Sequence, residues 1–300
     1  SWNKETHAYF MEMGTGKSKV LLDNVAMLYD QGRVDSVLII APKGVYRNWK
    51  NQEIPLHLAD HIKANIVCWT PTPTKKEKEL LDSLSVITDD LTIFLMNVEA
   101  LSTIKGYEAA YKFLLGHRSM MAIDESTTIK SSTASRTKSA LKLGNYAKYR
   151  RILTGSPVTK SPLDLYTQCY FLDPYLLDFS SYWAFKNRYA LMSQRTAAGG
   201  SHSYHHIIKY VRLDELNAKL EKFSTRILKE ECLDLPEKIY MKRIVSLTPE
   251  QLKSYHEMKK FAVAELEGKT MTAFSVLTQL MRLHQITCGH ITLDDGTIKE

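Results

Sequence analysis

Through its first 170 residues the chain alternates short apolar runs with amphipathic stretches, and that alternation leaves few folds open. Strands are predicted at Ala8–Met13, Ser36–Ala41, Ala64–Trp69, Thr92–Asn97, Ser119–Asp124 and Tyr149–Thr154. Helical spacing fills residues 17–31, 44–58, 74–85, 107–116 and 134–143 between them. Strand–helix alternation at this interval predicts a parallel sheet with helices on both faces. Val37-Leu38-Ile39-Ile40 and Met120-Met121-Ala122-Ile123 are apolar without interruption, as strands buried on both sides require.

From about residue 173 the pattern changes to a mostly helical, aromatic stretch that includes Tyr175, Phe179, Tyr182, Trp183, Phe185 and Tyr189. Ala197 to His206 is rich in Gly, Ser and His and reads as a flexible loop. A β-like alternation follows at Ile239–Val245, and then helical patterns at 248–267 and 271–287. This predicts three parts: 1–172, a first lobe; 173–235, a helical insertion or bridge; and 236–300, the truncated start of a second lobe. The 300 residues, 44% hydrophobic, suffice for such cores. No apolar run reaches the ~18 residues of a transmembrane helix. The opening Ser-Trp-Asn-Lys-Glu is no signal peptide and looks like a cut inside a longer protein. Four cysteines without paired spacing fit a reduced, cytoplasmic setting. The net charge of +7 permits an anionic partner without identifying one.

Three segments carry candidate chemistry. Glu-Met-Gly-Thr-Gly-Lys-Ser at 12–18 sits between the first strand and the first helix, the place for a phosphate-binding loop. Gly14 and Gly16 would turn the backbone, and the N–H groups from Met13 to Ser18, Thr15 included, would face phosphate. Lys17 would reach the β- and γ-phosphates, and the Ser18 hydroxyl would meet Mg²⁺. The full pattern asks for Gly where this chain has Met11, and a glycine turn capping a helix suits the same residues. Asp124-Glu125 closes an apolar strand; Asp124 would hold Mg²⁺ through its water shell, and Glu125 would orient and deprotonate water. An acidic helix cap is the plainer use of that pair. Thr154-Gly155-Ser156-Pro157 leaves another buried strand, either as a nucleotide-state relay or as an ordinary turn.

In order and flanks these segments resemble the superfamily-two helicase-like ATPases, and among them the SNF-type double-stranded-DNA translocases. Glu12–Ser18 is similar to motif I, and this family dispenses with the glycine missing at Met11. Leu38–Lys43 with Asn48-Trp49 resembles motif Ia, and Met96–Leu101 the motif Ib region. Asp124–Lys130, with the helix through Ser139–Leu141, resembles motif II. Leu153–Pro157 and Asp164–Pro174 resemble motif III and its extension. Arg226–Lys229, Leu235–Lys238 and Leu247–Gln251 resemble the bridge to a second lobe, and Met281–Cys288 an early helix of that lobe. The Leu-Asp-Leu-Pro-Glu-Lys segment and the short layout look like bacterial or phage members.

The resemblance implies a RecA-like α/β lobe that uses ATP and Mg²⁺ to move on duplex DNA, in a cytoplasmic, DNA-associated setting. Lys17, Asp124 and Glu125 would be catalytic, and Thr154, Gly155 and Ser156 would couple nucleotide state to DNA. Pro42, Lys43 and Asn97 would contact the DNA backbone. Ser126 and Thr127 stand where the family usually carries Ala-His, so coupling through the fourth residue of motif II would differ here. Motifs IV to VI and their arginine finger would lie elsewhere; a finger is worth ~10³ or more in rate, so the chain alone is expected to hydrolyse ATP poorly. Two other functions remain open: a strand-separating DNA or RNA helicase, and a nucleotide-responsive DNA-binding scaffold with little turnover. His284, Cys288 and His290 make a poor zinc set without a fourth ligand. Lys138, Lys142, Lys148, Arg150 and Arg151 read as a surface stripe that could also touch phosphate.

Overall fold

The computed structural model describes residues 2–196, 203–234, 236, 239–266, 269–272 and 275–299. Two compact units divide the chain, Ser1–Leu235 and Pro236–Glu300.

The first unit is built in chain order from β1 (Thr6–Met11), α1 (Lys17–Asp30) and β2 (Ser36–Ala41), then a helical run of α2 (Tyr46–Asn48), a π-helical turn at Trp49–Glu53 and α3 (Ile54–His57). It continues through β3 (Ala64–Cys68), α4 (Lys75–Ser83), β4 (Leu91–Asn97), α5 (Ile104–Gly116), β5 (Ser119–Asp124), α6 (Ser135–Gly144), β6 (Tyr149–Leu153) and α7 (Leu165–Leu172). All six predicted strands form, and with a seventh, β9 (Ser224–Ile227), they make one parallel sheet in the order β3-β4-β2-β5-β6-β1-β9. Side chains alternate between two cores, as the period of two requires. Ala8, Phe10, Leu38, Ile40, Met121, Ile123 and Ile152 face one, and Tyr9, Met11, Val37, Ile39, Ala122 and Leu153 face the other.

The expected helical insertion is a mixed segment that belongs to this unit. After α8 (Tyr182–Tyr189) come β7 (Ala190–Thr196) and β8 (Ser203–Tyr210), paired antiparallel, then α9 (Leu213–Glu221), β9 (Ser224–Ile227) and α10 (Lys229–Cys232). β9 lies parallel to β1, with Ala8 opposite Ser224 and Met11 opposite Ile227. Phe185, Tyr189, Leu216 and Phe223 are buried in the same core as the sheet. Of the predicted loop at Ala197–His206, residues 203–206 are strand and 197–202 lie outside the described residues. His202 and, in the expected bridge, Leu235, Glu237 and Lys238 also lie outside them.

The cationic stripe dissolves at Arg151, which is fully buried. Its guanidinium donates to the carbonyl oxygens of Trp2, Lys4, Glu5 and Arg150 and to Asn24. On a strand, neighbours point to opposite faces, so consecutive arginines cannot share one surface stripe.

In the second unit Ile239, Tyr240, Met241, Ile244 and Val245 are exposed and irregular, not a strand. An alternating pattern makes a strand where a partner edge and a core face receive it, and among the described residues nothing pairs with this segment. Thr248 and Gln251 form a capping box for α11 (Pro249–Phe261), which ends at a left-handed Ala262 and not at 267. β10 (Val263–Leu266) and β11 (Lys269–Thr272) form a hairpin where helix was expected. α12 (Val276–Thr287), β12 (Ile291–Thr292) and β13 (Ile298–Lys299) complete the unit around a small core of Met258, Ile286 and Leu293.

Candidate active site

The sheet order makes β1, β6 and β5 neighbours, so their carboxyl ends open on one edge. In such sheets that edge is where ligands bind.

β1 stops at Met11 because the next residues turn. Thr15 donates from its backbone N–H and its hydroxyl to the Glu12 carbonyl, at 3.2 and 2.7 Å. Gly14 and Gly16 lie at φ 86° and 90°, in the left-handed region that side chains resist. Gly16 is the N-cap of α1, no side chain caps that helix, and its first turn carries no acidic residue. The positive end of α1, with its unpaired N–H groups, is thus left for an anion. Ser18 lies in that first turn, half-buried, and Met13 is exposed. Lys17 reaches back to the Glu12 carbonyl at 3.4 Å.

Asp124 and Glu125 differ in environment. Asp124 is 8% exposed and accepts from the Trp49 indole N–H and the Glu125 N–H, both at 3.0 Å. Burial pushes its carboxyl up to about 6; the Trp49 bond opposes that, the Glu125 charge adds to it, and Lys17 pulls it back. Glu125 sits in a left-handed conformation, φ 49°, which turns its side chain out of the strand line into the cleft. Its Oε2 accepts from the Thr154 hydroxyl at 3.1 Å. Thr154 Oγ1 in turn accepts from the Ser156 N–H at 3.2 Å.

The third segment lies directly on the first. A Cβ on Gly155 would come within 3.3 Å of Glu12 Cα and 3.4 Å of the Met13 nitrogen. The resulting cleft, about 260 Å³, is lined by Glu12, Met13, Lys17, Glu125, Thr154 and Ser156 among others.

Pro42, Lys43 and Asn97 form a second location. They stand at the carboxyl ends of β2 and β4, adjacent strands in which Ala41 pairs with Asn97. Lys43 is exposed, and the Asn97 amide donates to Glu99 at 3.0 Å. Trp49 spans the two locations, since it stands on the helical run after β2 and bonds Asp124.

Sequence reasoning did not anticipate that role for Trp49. A tryptophan in a buried helical stretch needs a partner for its N–H, and that requirement is the legible signal. It also missed Gln168. The Ser126 hydroxyl donates to Gln168 Oε1 at 2.7 Å, and Gln168 Nε2 donates to the Pro157 and Asp164 carbonyls at 2.8 and 2.7 Å. Both side chains are fully buried. Thr127 lines the cleft, and so does Lys229.

Residues 9–291 match the SNF2-related domain. The chromatin-remodeling ATPase INO80 of Cryptococcus neoformans var. neoformans serotype D (strain B-3501A) is 26% identical over 260 residues, covering 83% of this chain and 14% of that protein. The helicase-like transcription factor of Mus musculus is 24% identical over 282 residues, covering 88% of this chain and 25% of that protein. The chain therefore spans a quarter or less of the length of these relatives. In structure it is similar to the Sulfolobus solfataricus SWI2/SNF2 ATPase core in complex with dsDNA, with a TM-score of 0.55, 23% identity, and coverage of 97% of this chain and 56% of that one. The likeness is one of fold: the α/β architecture with its parallel sheet is that of the SWI2/SNF2 core.

Proposed function

Because the chain belongs to the SNF2-related domain family, we propose that it carries the nucleotide-binding lobe of a DNA-dependent ATPase that couples ATP hydrolysis to movement along duplex DNA. The observation that carries this reading is the meeting of three separate segments at one sheet edge. Lys17 and Glu125 line one cleft, Thr154 bonds Glu125, and Gly155 packs on Glu12.

The uncapped positive end of α1, with Lys17 beside it, fits a polyphosphate. Ser18 and Asp124 fit Mg²⁺, both being hard oxygen donors, with Asp124 a buried carboxylate whose ionisation a cation would favour. Bound there, Mg²⁺ would neutralise charge on the phosphate oxygens. Glu125 orients a water and takes its proton, and Thr154 fixes which way that carboxylate points. Thr154, Gly155 and Ser156 carry any shift of Glu125 to the loop at Glu12. Pro42, Lys43 and Asn97 meet the phosphate backbone of duplex DNA, which needs amides and cations and not base readout. Trp49 links that face to Asp124. Residues 236–300 belong, in this reading, to a second RecA-like lobe.

The test is DNA-stimulated ATP hydrolysis by the full-length protein. Lys17→Ala is expected to abolish it through lost nucleotide binding. Glu125→Gln is expected to lower kcat by about 10²–10⁴ while binding persists. Wild-type turnover in both variants would sink the proposal.

A further inference from the structure

β9 delivers the chain back to the phosphate cleft. At its end, the Glu12 N–H donates to the Ile227 carbonyl at 3.0 Å, and the Lys229 N–H donates to Glu12 Oε2 at 2.7 Å. Glu12, the first residue of the loop, thus grips the segment that follows β9 from both of its own polar ends. That grip sets the Lys229 side chain in the wall of the 260 Å³ cleft, together with Lys17, Glu125, Thr154 and Ser156. Lys229 is half-buried, and among the described residues its ammonium has no ion-pair partner. Of the two carboxylates that line the cleft, Glu12 accepts from the Lys229 backbone N–H and Glu125 from the Thr154 hydroxyl.

A half-buried ammonium in a cleft wall that pairs with neither of the carboxylates lining it is open to an anion that enters the cleft. We propose that Lys229 is a second cationic ligand for the nucleotide, meeting its terminal phosphate, and that Glu12 is the latch that positions it. This rests on the reading of the cleft as a nucleotide site. The terminal phosphate is specified because the wall that carries Lys229 also carries Glu125, the group that handles the attacking water in that reading. Lys17 serves the phosphates from the loop side, and Lys229 serves the outermost from the side of β9. Lys229 is also the first residue of α10, on the path toward residues 236–300.

The experiment is a titration of the full-length protein with fluorescent adenosine triphosphate and diphosphate analogues, in the absence of DNA. A charge-assisted contact is worth about 1.5–3 kcal/mol, so Lys229→Ala should weaken triphosphate binding about tenfold or more. Diphosphate binding should change less than about twofold. Lys229→Met retains the aliphatic stem and the backbone bond to Glu12, and is expected to show the same selective loss with an unchanged melting temperature. Lys17→Ala should lose both ligands. If the Lys229 variants keep the wild-type preference for triphosphate while Lys17→Ala loses binding, the role of Lys229 is overturned and the nucleotide site stands. If Lys17→Ala also binds normally, or the wild type binds neither ligand, the site itself is wrong and the inference goes with it.

Discussion

Asp124 shows how burying one carboxyl makes stability depend on pH. Burial lifts its carboxyl to about 6 in the folded chain, whereas in an unfolded chain an aspartate titrates near about 4. Between those values the folded state holds a proton that the unfolded state has released. The contribution of this group therefore favours folding at low pH and declines as pH rises from about 4 to 6. The decline is on the order of 3 kcal/mol and levels off above the folded value. Asp124→Asn is expected to remove that decline, whatever its effect on absolute stability through the Trp49 and Glu125 bonds. Urea melts across pH 4–7 check it, and a variant whose stability falls over the same window as the wild type would refute it. An acidic residue at the end of an apolar strand was legible as a candidate site. Its environment was not, because Trp49 is separated from it by most of the first five strands and meets it only after the sheet is ordered.

At the scale of elements, Ser126 and Gln168 tie the turn after β5 to α7 and to the exit of β6. Ser126 donates to the Gln168 carbonyl oxygen, and the Gln168 amide holds the Pro157 carbonyl. Thr154 and Glu125 close the other side of the same ring. Ser126 and Gln168 are both buried, so cutting one leaves the other unsatisfied at a cost of roughly 1–3 kcal/mol. Ser126→Ala and Gln168→Leu should each destabilise the chain by about that much. The double variant should cost less than the sum, with a coupling energy of about 0.5–3 kcal/mol from denaturant melts. Strict additivity would show that the two act separately. The family resemblance placed the residues of α7 in an extension of motif III but could not supply this link, since a glutamine in a helix has no partner until another element arrives. The strands were legible for the opposite reason: short apolar runs such as Val37–Ile40 and Met120–Ile123 identify themselves. β9, Ser-Thr-Arg-Ile, is short, polar and largely without apolar alternation, and so it passed as part of a helical bridge.

For the molecule as a whole, the consequence lies in where the first unit ends. A chain ending at residue 172 would contain every segment of the proposed site except Lys229, and it would still lack part of its core. Phe185, Tyr189, Leu216 and Phe223 are buried against the sheet from beyond that point. At 1.5–3 kcal/mol for each large apolar side chain, their loss amounts to about 6–12 kcal/mol. That is comparable with the whole stability of a typical domain, about 5–15 kcal/mol. β1 would also become an edge strand, and the Ala8 and Glu12 N–H groups would lose their acceptors at Phe223 and Ile227. Residues 1–235 are therefore expected to melt cooperatively as an isolated protein, while residues 1–172 are expected to show no cooperative transition by calorimetry. A cooperative melt of 1–172 close to that of 1–235 would mean that the segment from 173 onward only decorates the sheet. Because β9 ends the sheet beside β1, the loop after β1 is held by chain on both sides, from β6 through Gly155 and from β9 through Ile227 and Lys229. Loss of the later segment should then unfold the fragment and free the loop in one transition.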